Sequence, residues 1–103
     1  LHLQRAIQYM QEHYTENISL DDTAVHTKLS ASYLSHLFRQ ELHKNFADYL
    51  TEVRMEQARR LIDQGIDNVN VLAEKVGYQY ASYFCRQFKK YTGMTVGEYK
   101  RRK

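Results

Sequence analysis

Residues 32–39 read SYLSHLFR and residues 82–89 read SYFCRQFK, so a shift of 50 positions aligns the two stretches. In both, a Ser-Tyr pair precedes a large apolar residue, and Phe followed by a basic residue closes the stretch. A shift of 49 positions aligns Ser19-Leu20 with Asn68-Val69. The sequence therefore predicts two copies of one unit, each a short helix, a tight turn and a longer helix.

Helix-capping residues stand before each segment of helical periodicity. Proline is absent and glycine occurs only four times, so few residues interrupt helices. The predicted caps are Ser19 with Asp22, Ser30, Asn45 with Asp48, Asn68, and Thr95 with Glu98. They predict an all-α fold of seven helices, at about 1–14, 20–27, 31–42, 45–63, 68–76, 81–91 and 95–102.

We expect one domain over residues 1–103. Its parts would be a first helix-turn-helix subdomain at about 1–44, a linker helix at about 45–63 and a second subdomain at about 64–103. At 1.5 Å per residue the linker helix would span roughly 27 Å.

The second helix of each unit has an apolar face and a polar face. The predicted inner residues are Leu34, Leu37, Phe38 and Leu42 in the first unit and Phe84, Phe88 and Tyr91 in the second. The predicted outer residues are Ser32, Ser35, His36, Arg39 and His43, and Ser82, Cys85, Arg86 and Lys89. A DNA major groove admits such a helix, and the planar fork of Arg86 matches guanine O6 and N7. One amphipathic helix would more often be merely solvated, but two copies of the same face favour DNA binding.

The roughly 27 Å of the linker helix is close to the ~34 Å of one DNA turn. The linker helix would either hold the two DNA-reading helices on one face of DNA or simply complete the core, and both are compatible.

Positive charge is concentrated at the C-terminal end. Residues 86–103 carry seven basic residues against Glu98 alone, which is +6, so the rest of this +3 chain carries −3. This indicates either a polyanionic partner or a solvated tail.

The single cysteine, Cys85, excludes an internal disulfide and favours a reducing, cytoplasmic setting. No apolar run reaches the roughly 20 residues of a membrane span, and the start at Leu1 suggests a fragment of a longer protein.

The chain resembles the AraC-type DNA-binding domain over essentially its whole length. The segments that carry this resemblance are 18–24 (ISLDDTA), 29–39 (LSASYLSHLFR), 49–50 (YL) with Arg54, Ala58 and Leu61, 76–78 (VGY), 83–95 (YFCRQFKKYTGMT) and 98–100 (EYK). The opening helix looks most like the branch of the family that is fused to response-regulator receiver domains.

The resemblance implies a transcription factor, usually an activator, that enters two adjacent major grooves near a promoter. It assigns base readout to Ser32, Ser35 and His36, and to Ala81, Ser82, Cys85 and Arg86. It assigns DNA-backbone contacts to Arg39, Lys89 and Lys90. Double-stranded DNA is the expected partner, RNA polymerase a further candidate, and no cofactor is expected. We expect the isolated domain to be a monomer and the full-length protein to be a candidate dimer.

Four positions depart from the family pattern. His43 stands in place of the usual glycine, so we expect a strained or differently shaped helix end. Tyr80 replaces the usual Asp or Ser cap, which affects the start of the second DNA-reading helix. Val96 replaces a proline at a first helical position, and Cys85 replaces a common serine.

Two other classes of function are a protein-interaction module and a metal site or enzyme. A protein-interaction module would use the same helical surface, but the outward Arg86 and Lys89 argue against it. The chain has five histidines and one cysteine, residue types that can bind a metal ion or act in catalysis. However, His36 and His43 would lie about 10 Å apart along a helix, too far to share an ion. No nucleophile-base pair is visible, so we expect no enzyme.

Overall fold

The computed structural model describes the backbone of residues 2–102 and the side chains of residues 3–102. Within that range the fold is all-α, as predicted, with no strand. Its seven helices are α1 (His2–His13), α2 (Leu20–Thr27), α3 (Ala31–Leu37), α4 (Phe46–Asp63), α5 (Val69–Lys75), α6 (Ala81–Thr92) and α7 (Val96–Arg101). A π-helical turn, Phe38–Leu42, continues α3 directly. None of the described helices has the length and apolarity to cross a membrane.

The predicted caps form and fix where helices begin. The Ser19 hydroxyl accepts from the Asp22 N–H at 3.0 Å, and the Asp22 carboxylate accepts from the Ser19 N–H at 3.0 Å. Thr95 and Glu98 form the same reciprocal pair, at 3.1 and 2.9 Å. Because both orphan N–H groups are satisfied, α2 and α7 have defined starts. Ser30 and Asn68 also cap their helices. The predicted pair of Asn45 and Asp48 forms in one direction only, because Asn45 accepts from the Asp48 N–H at 2.8 Å and no return bond is present in the described residues.

Backbone contacts divide the chain into two compact units, residues 1–53 and 54–103, so the division falls inside α4. In the first unit α1 packs on α2 and α2 on α3. The core of this unit consists of Leu3, Ala6, Met10, Ile18, Ala24, Leu34, Leu37, Phe38 and Leu50. The ring of Phe38 is fully buried, 5.8 Å from that of Phe46. Burial of this apolar face sets which side of α3 remains outside.

The second unit has its own core. Its buried members include Met55, Ala58, Ile62, Leu72, Ala73, Val76, Tyr78, Phe84, Phe88, Val96 and Tyr99. The rings of Phe84 and Phe88 are 5.8 Å apart, and Tyr99 meets Phe88 edge-on at 5.6 Å. Both α5 and α7 pack against α6. This packing leaves the opposite side of α6 exposed.

One predicted core residue is placed differently. The side chain of Tyr91 is 37% exposed, so its assignment to the inner face of α6 was wrong. Its hydroxyl donates to the Glu56 carboxylate at 2.9 Å. A phenol hydroxyl needs a polar partner, and Glu56 supplies one at the edge of the core rather than inside it.

Candidate nucleic-acid interface

The helix-turn-helix of the first unit consists of α2, the turn at 28–30, and α3. Lys28 is left-handed, with φ +62°, and its N–H donates to the carbonyl of Val25 at 3.2 Å. The Leu29 N–H donates to the carbonyl of Ala24 at 3.0 Å. These two bonds close α2, and Ser30 then caps α3 by accepting from the Tyr33 N–H at 3.0 Å.

The outer face of α3 carries the residues predicted from the sequence. Ser32 and His36 are exposed, and Ser35 is half-buried. Arg39 is exposed but belongs to the π-helical turn. That turn has more residues per revolution than an α-helix, so the direction of Arg39 departs from the stripe assumed in an ideal helix. The structure thus brings three of the four first-unit candidates onto one regular helical face.

The helix-turn-helix of the second unit consists of α5, the segment 76–80, and α6. Gly77 is left-handed at φ +97°, as predicted for the end of α5. Tyr80 occupies the N-cap of α6 and makes no side-chain cap bond. Because that cap is missing, one N–H at the start of α6 has no side-chain acceptor at this position.

The outer face of α6 is small at its start and basic further along. Ser82 is exposed, and Ala81 and Cys85 are half-buried. One turn later Arg86 is exposed, followed by the other two basic candidates, Lys89 and Lys90. An open groove of about 360 Å³ runs beside this face, lined by Val69, Cys85, Arg86, Lys89, Thr95, Val96 and Gly97.

The basic side chains of the second unit differ in whether acids neutralise them. Lys100 pairs with Asp67 and lowers the pKa of that carboxyl. Arg102 lies 3.5 Å from the Asp63 carboxylate and 3.8 Å from the centre of the Tyr99 ring. Of the two interpretations of the basic segment, the solvated tail therefore does not describe Lys100 and Arg102, which have partners. Lys103 lies outside the described residues.

The basic residues of α6 are different, because no described carboxylate forms an ion pair with Arg86, Lys89 or Lys90. The nearby Glu98 accepts the cap hydrogen bond of the Thr95 N–H, which is the main reason that its pKa lies below the usual value, and the charge of Lys89 lowers that pKa to a smaller extent. Most of the positive charge of this face is consequently available to a polyanion.

The histidines and the cysteine do not assemble into a metal site in the described part of the chain, where no group of three or more His, Cys, Asp or Glu could hold an ion. His13 and His26 instead both pack on one residue, with ring centres 4.6 and 4.4 Å from that of Tyr9. The His13 ring also lies 2.7 Å from the Glu16 carboxylate. These two histidines therefore have structural roles in the first unit.

Two exposed tyrosines lie beside the candidate base readers and were not among the predicted site residues. Tyr33 and Tyr83 are each 46% exposed, although both belong to stretches with large buried side chains. In the sequence, Tyr33 and Tyr83 stand at equivalent positions of the 50-residue repeat. Their place three residues before His36 and Arg86, one helical turn away, is the signal in the sequence that pointed to them.

The chain is similar to known helix-turn-helix proteins in sequence. Residues 23–102 match the family model described as a helix-turn-helix domain. The uncharacterized HTH-type transcriptional regulator YisR of Bacillus subtilis is 34% identical over 96 residues, which is 93% of this chain and 33% of YisR. The chain spans about a third of the length of the first curated relatives that it matches.

Two of the solved structures that are similar to the chain come from response regulators. The C-terminal domain of AraT, a response regulator from Geobacillus stearothermophilus, has a TM-score of 0.92 and 35% identity, covering 99% of this chain and 85% of that one. The C-terminal domain of the two-component response regulator yesN from Fusobacterium nucleatum has a TM-score of 0.86 and 32% identity. That match covers 94% of this chain and 95% of the other.

Proposed function

The chain belongs to the AraC-type helix-turn-helix family of DNA-binding transcription regulators, and we propose that it reads a promoter site by placing α3 and α6 in major grooves. The observation that carries the proposal is the outer face of α6. Ser82 is exposed at its start, and Arg86, Lys89 and Lys90 follow, none of them in an ion pair with a described carboxylate. A helix with small polar residues near its N-terminus and cations beyond them suits groove docking.

The proposed roles divide by position on each helix. Base readout is assigned to Ser32, Ser35 and His36 of α3 and to Ala81, Ser82, Cys85 and Arg86 of α6. Phosphate contacts are assigned to Arg39, Lys89 and Lys90. Small side chains let a helix approach base edges closely, and an arginine fork binds guanine O6 and N7 with two hydrogen bonds. Lysines further along the helix match phosphates, which fix orientation without reading sequence.

We propose that the two helices occupy successive major grooves of one site. The supporting feature is α4, whose 18 residues correspond to roughly 27 Å of helix, against ~34 Å for one DNA turn. Such binding predicts two half-sites with centres about 10 base pairs apart. A single half-site would instead mean that only one unit reads DNA.

Selection of bound DNA from a random pool, followed by affinity measurement at rising salt, tests the function. We expect one preferred motif and a steep linear fall of log affinity with log salt, since basic side chains release counterions from DNA. No enriched motif together with a flat salt response would contradict DNA binding. That result would favour a protein-interaction module.

We propose further that this is the C-terminal output domain of a longer cytoplasmic response regulator that activates transcription. Its likeness to the C-terminal domains of AraT and yesN supports the receiver fusion, and the family resemblance supports activation through RNA polymerase. The isolated domain would be a monomer and the full-length protein a dimer.

In vitro transcription with the full-length protein, before and after phosphorylation, tests the proposed activation. An increase in transcript with phosphorylation is expected, and no change or a decrease contradicts the proposal.

A further inference from the structure

Four side chains of the second unit form a continuous series of cation–π contacts and one tilted ring contact, called the stack below, that ends at the proposed guanine reader. The guanidinium carbon of Arg54 lies 5.2 Å from the centre of the Tyr78 ring. The Tyr78 ring centre is 5.6 Å from that of Tyr83. The guanidinium carbon of Arg86 lies 5.6 Å from the Tyr83 ring. Cations therefore face the rings at both ends of a pair of tyrosines, which is an attractive arrangement.

The inner end of the stack is anchored. Tyr78 is only 8% exposed and also packs on the Phe84 ring at 5.8 Å. Burial lowers the pKa of Arg54 from its usual value, and its hydrogen bond to Tyr78 opposes that shift. Because Tyr78 is held by the core, the ring of Tyr83 has a fixed support although nearly half of it is exposed.

We propose that Tyr83 is a specificity-determining positioning residue, whose ring holds the Arg86 guanidinium in place before DNA is bound. This inference rests on the proposed function, in which Arg86 reads a base. A free arginine side chain loses much rotamer freedom when it forms two directed hydrogen bonds. Contact with an exposed aromatic face restricts that freedom beforehand, and it strengthens binding only at the base that Arg86 reads. From the usual strength of exposed cation–π contacts, the expected contribution is about 2- to 5-fold in preference.

The first unit provides a matched control within the same chain. Tyr33 has the same place in α3 and the same 46% exposure. Within the described residues, no aromatic ring or guanidinium is stacked on Tyr33. Removing the Tyr33 ring therefore tests the loss of an exposed tyrosine without the loss of a stack on a base reader.

The test is a double-mutant cycle between Tyr83 and Arg86. Its readout is the ratio of dissociation constants for two DNA sites that differ at the one base pair whose preference Arg86→Ala relaxes. We expect Tyr83→Leu to lower the ratio about 2- to 5-fold and Tyr83→Phe to preserve it. Tyr33→Leu should leave it unchanged, and Tyr83→Leu should have no further effect once Arg86 is alanine.

The outcomes separate the two proposals. A preserved ratio in Tyr83→Leu, or an equal effect with and without Arg86, overturns the positioning role but leaves base readout standing. If Arg86→Ala keeps the full preference, base readout by Arg86 is wrong and the positioning role falls with it. The stack has a second readout without DNA, because the Arg86 side-chain N–H resonance should shift in Tyr83→Leu and not in Tyr33→Leu. An unshifted resonance overturns the stack itself.

Discussion

The helices α3 and α6 occupy equivalent places in the two units, but they differ in charge and in how they end. Residues 1–53 carry four Lys or Arg against seven Asp or Glu, a net charge of −3. Residues 54–103 carry eleven against five, a net charge of +6. The two units therefore share a backbone motif but differ in net charge. Only the second unit has the net positive charge that attracts DNA over a long range.

The ends of the two helices show a second difference. The helix of the first unit passes through a π-helical turn and stops at His43, a left-handed residue with φ +58°. In the second unit, α6 stays regular to Thr92 and stops at left-handed Gly93, with φ +80°. A side chain in this region is strained, whereas glycine is not. We therefore expect the second unit to contribute most of the electrostatic affinity for DNA, and the end of the helix in the first unit to carry the backbone strain.

The largest effect that we expect is for Arg86→Ala. It should cost roughly 1–3 kcal/mol on the preferred site and relax the preference at one base pair, because two hydrogen bonds to guanine are lost. Lys89→Ala is the matched control and should weaken all sequences alike. Affinities across a randomised site library measure both. Identical profiles for the two variants would show that the assigned roles are wrong.

The difference in charge predicts unequal salt dependence. Neutralising Lys89 and Lys90 together should reduce the slope of log affinity against log salt by about 2, since each phosphate contact contributes about 0.9. Neutralising Arg39 should reduce it by about 1. Substitution by glutamine preserves much of the aliphatic length in all three cases. A greater loss of binding from the Arg39 variant than from the double variant would refute the division between the units.

The fold could be predicted closely from the sequence because caps and breakers are local signals. Ser19 with Asp22 and Thr95 with Glu98 mark helix starts by residue type and spacing alone, and both pairs form. Tyr91 was misplaced because helical periodicity does not show that Glu56, 35 residues away, offers its hydroxyl a partner. The π-helical turn at Phe38–Leu42 has no periodicity signal in so short a stretch.

The candidate site could be predicted only in part. Helical spacing is enough to place Ser32, His36 and Arg86 on outer faces, where they lie. The stack that supports Arg86 depends on Tyr78, whose position before α6 is set by tertiary packing rather than by spacing within a helix. The roles of these residues toward DNA stay predictions.

The two left-handed helix ends predict opposite effects on stability. His43→Gly should raise the free energy of unfolding of the first unit by about 1 kcal/mol, because the strain of a left-handed side chain is removed. Gly93→His should lower that of the second unit by about 1–2 kcal/mol. A Cβ at Gly93 would meet nothing within 4 Å, so the expected cost comes from the backbone alone.

Native-state hydrogen exchange measures these changes separately, since amides of α3 and α6 report on their own units. Lys28→Gly serves as a second test of the argument, because Lys28 is also left-handed, with φ +62°. A stabilised Lys28→Gly beside an unstabilised His43→Gly would mean that His43 makes compensating contacts at the end of the π-helical turn.

The smallest expected effect concerns the starts of the two helices. Ser30 caps α3, whereas Tyr80 leaves α6 without a side-chain cap. Tyr80→Ser should therefore stabilise α6 by about 1 kcal/mol, and Ser30→Ala should destabilise α3 by a similar amount. The Tyr80 ring is 64% exposed, so its removal opens no cavity. Slower exchange of the first α6 amides in Tyr80→Ser is the expected result. Faster exchange there would mean that the exposed ring, and not a hydrogen bond, holds the start of α6.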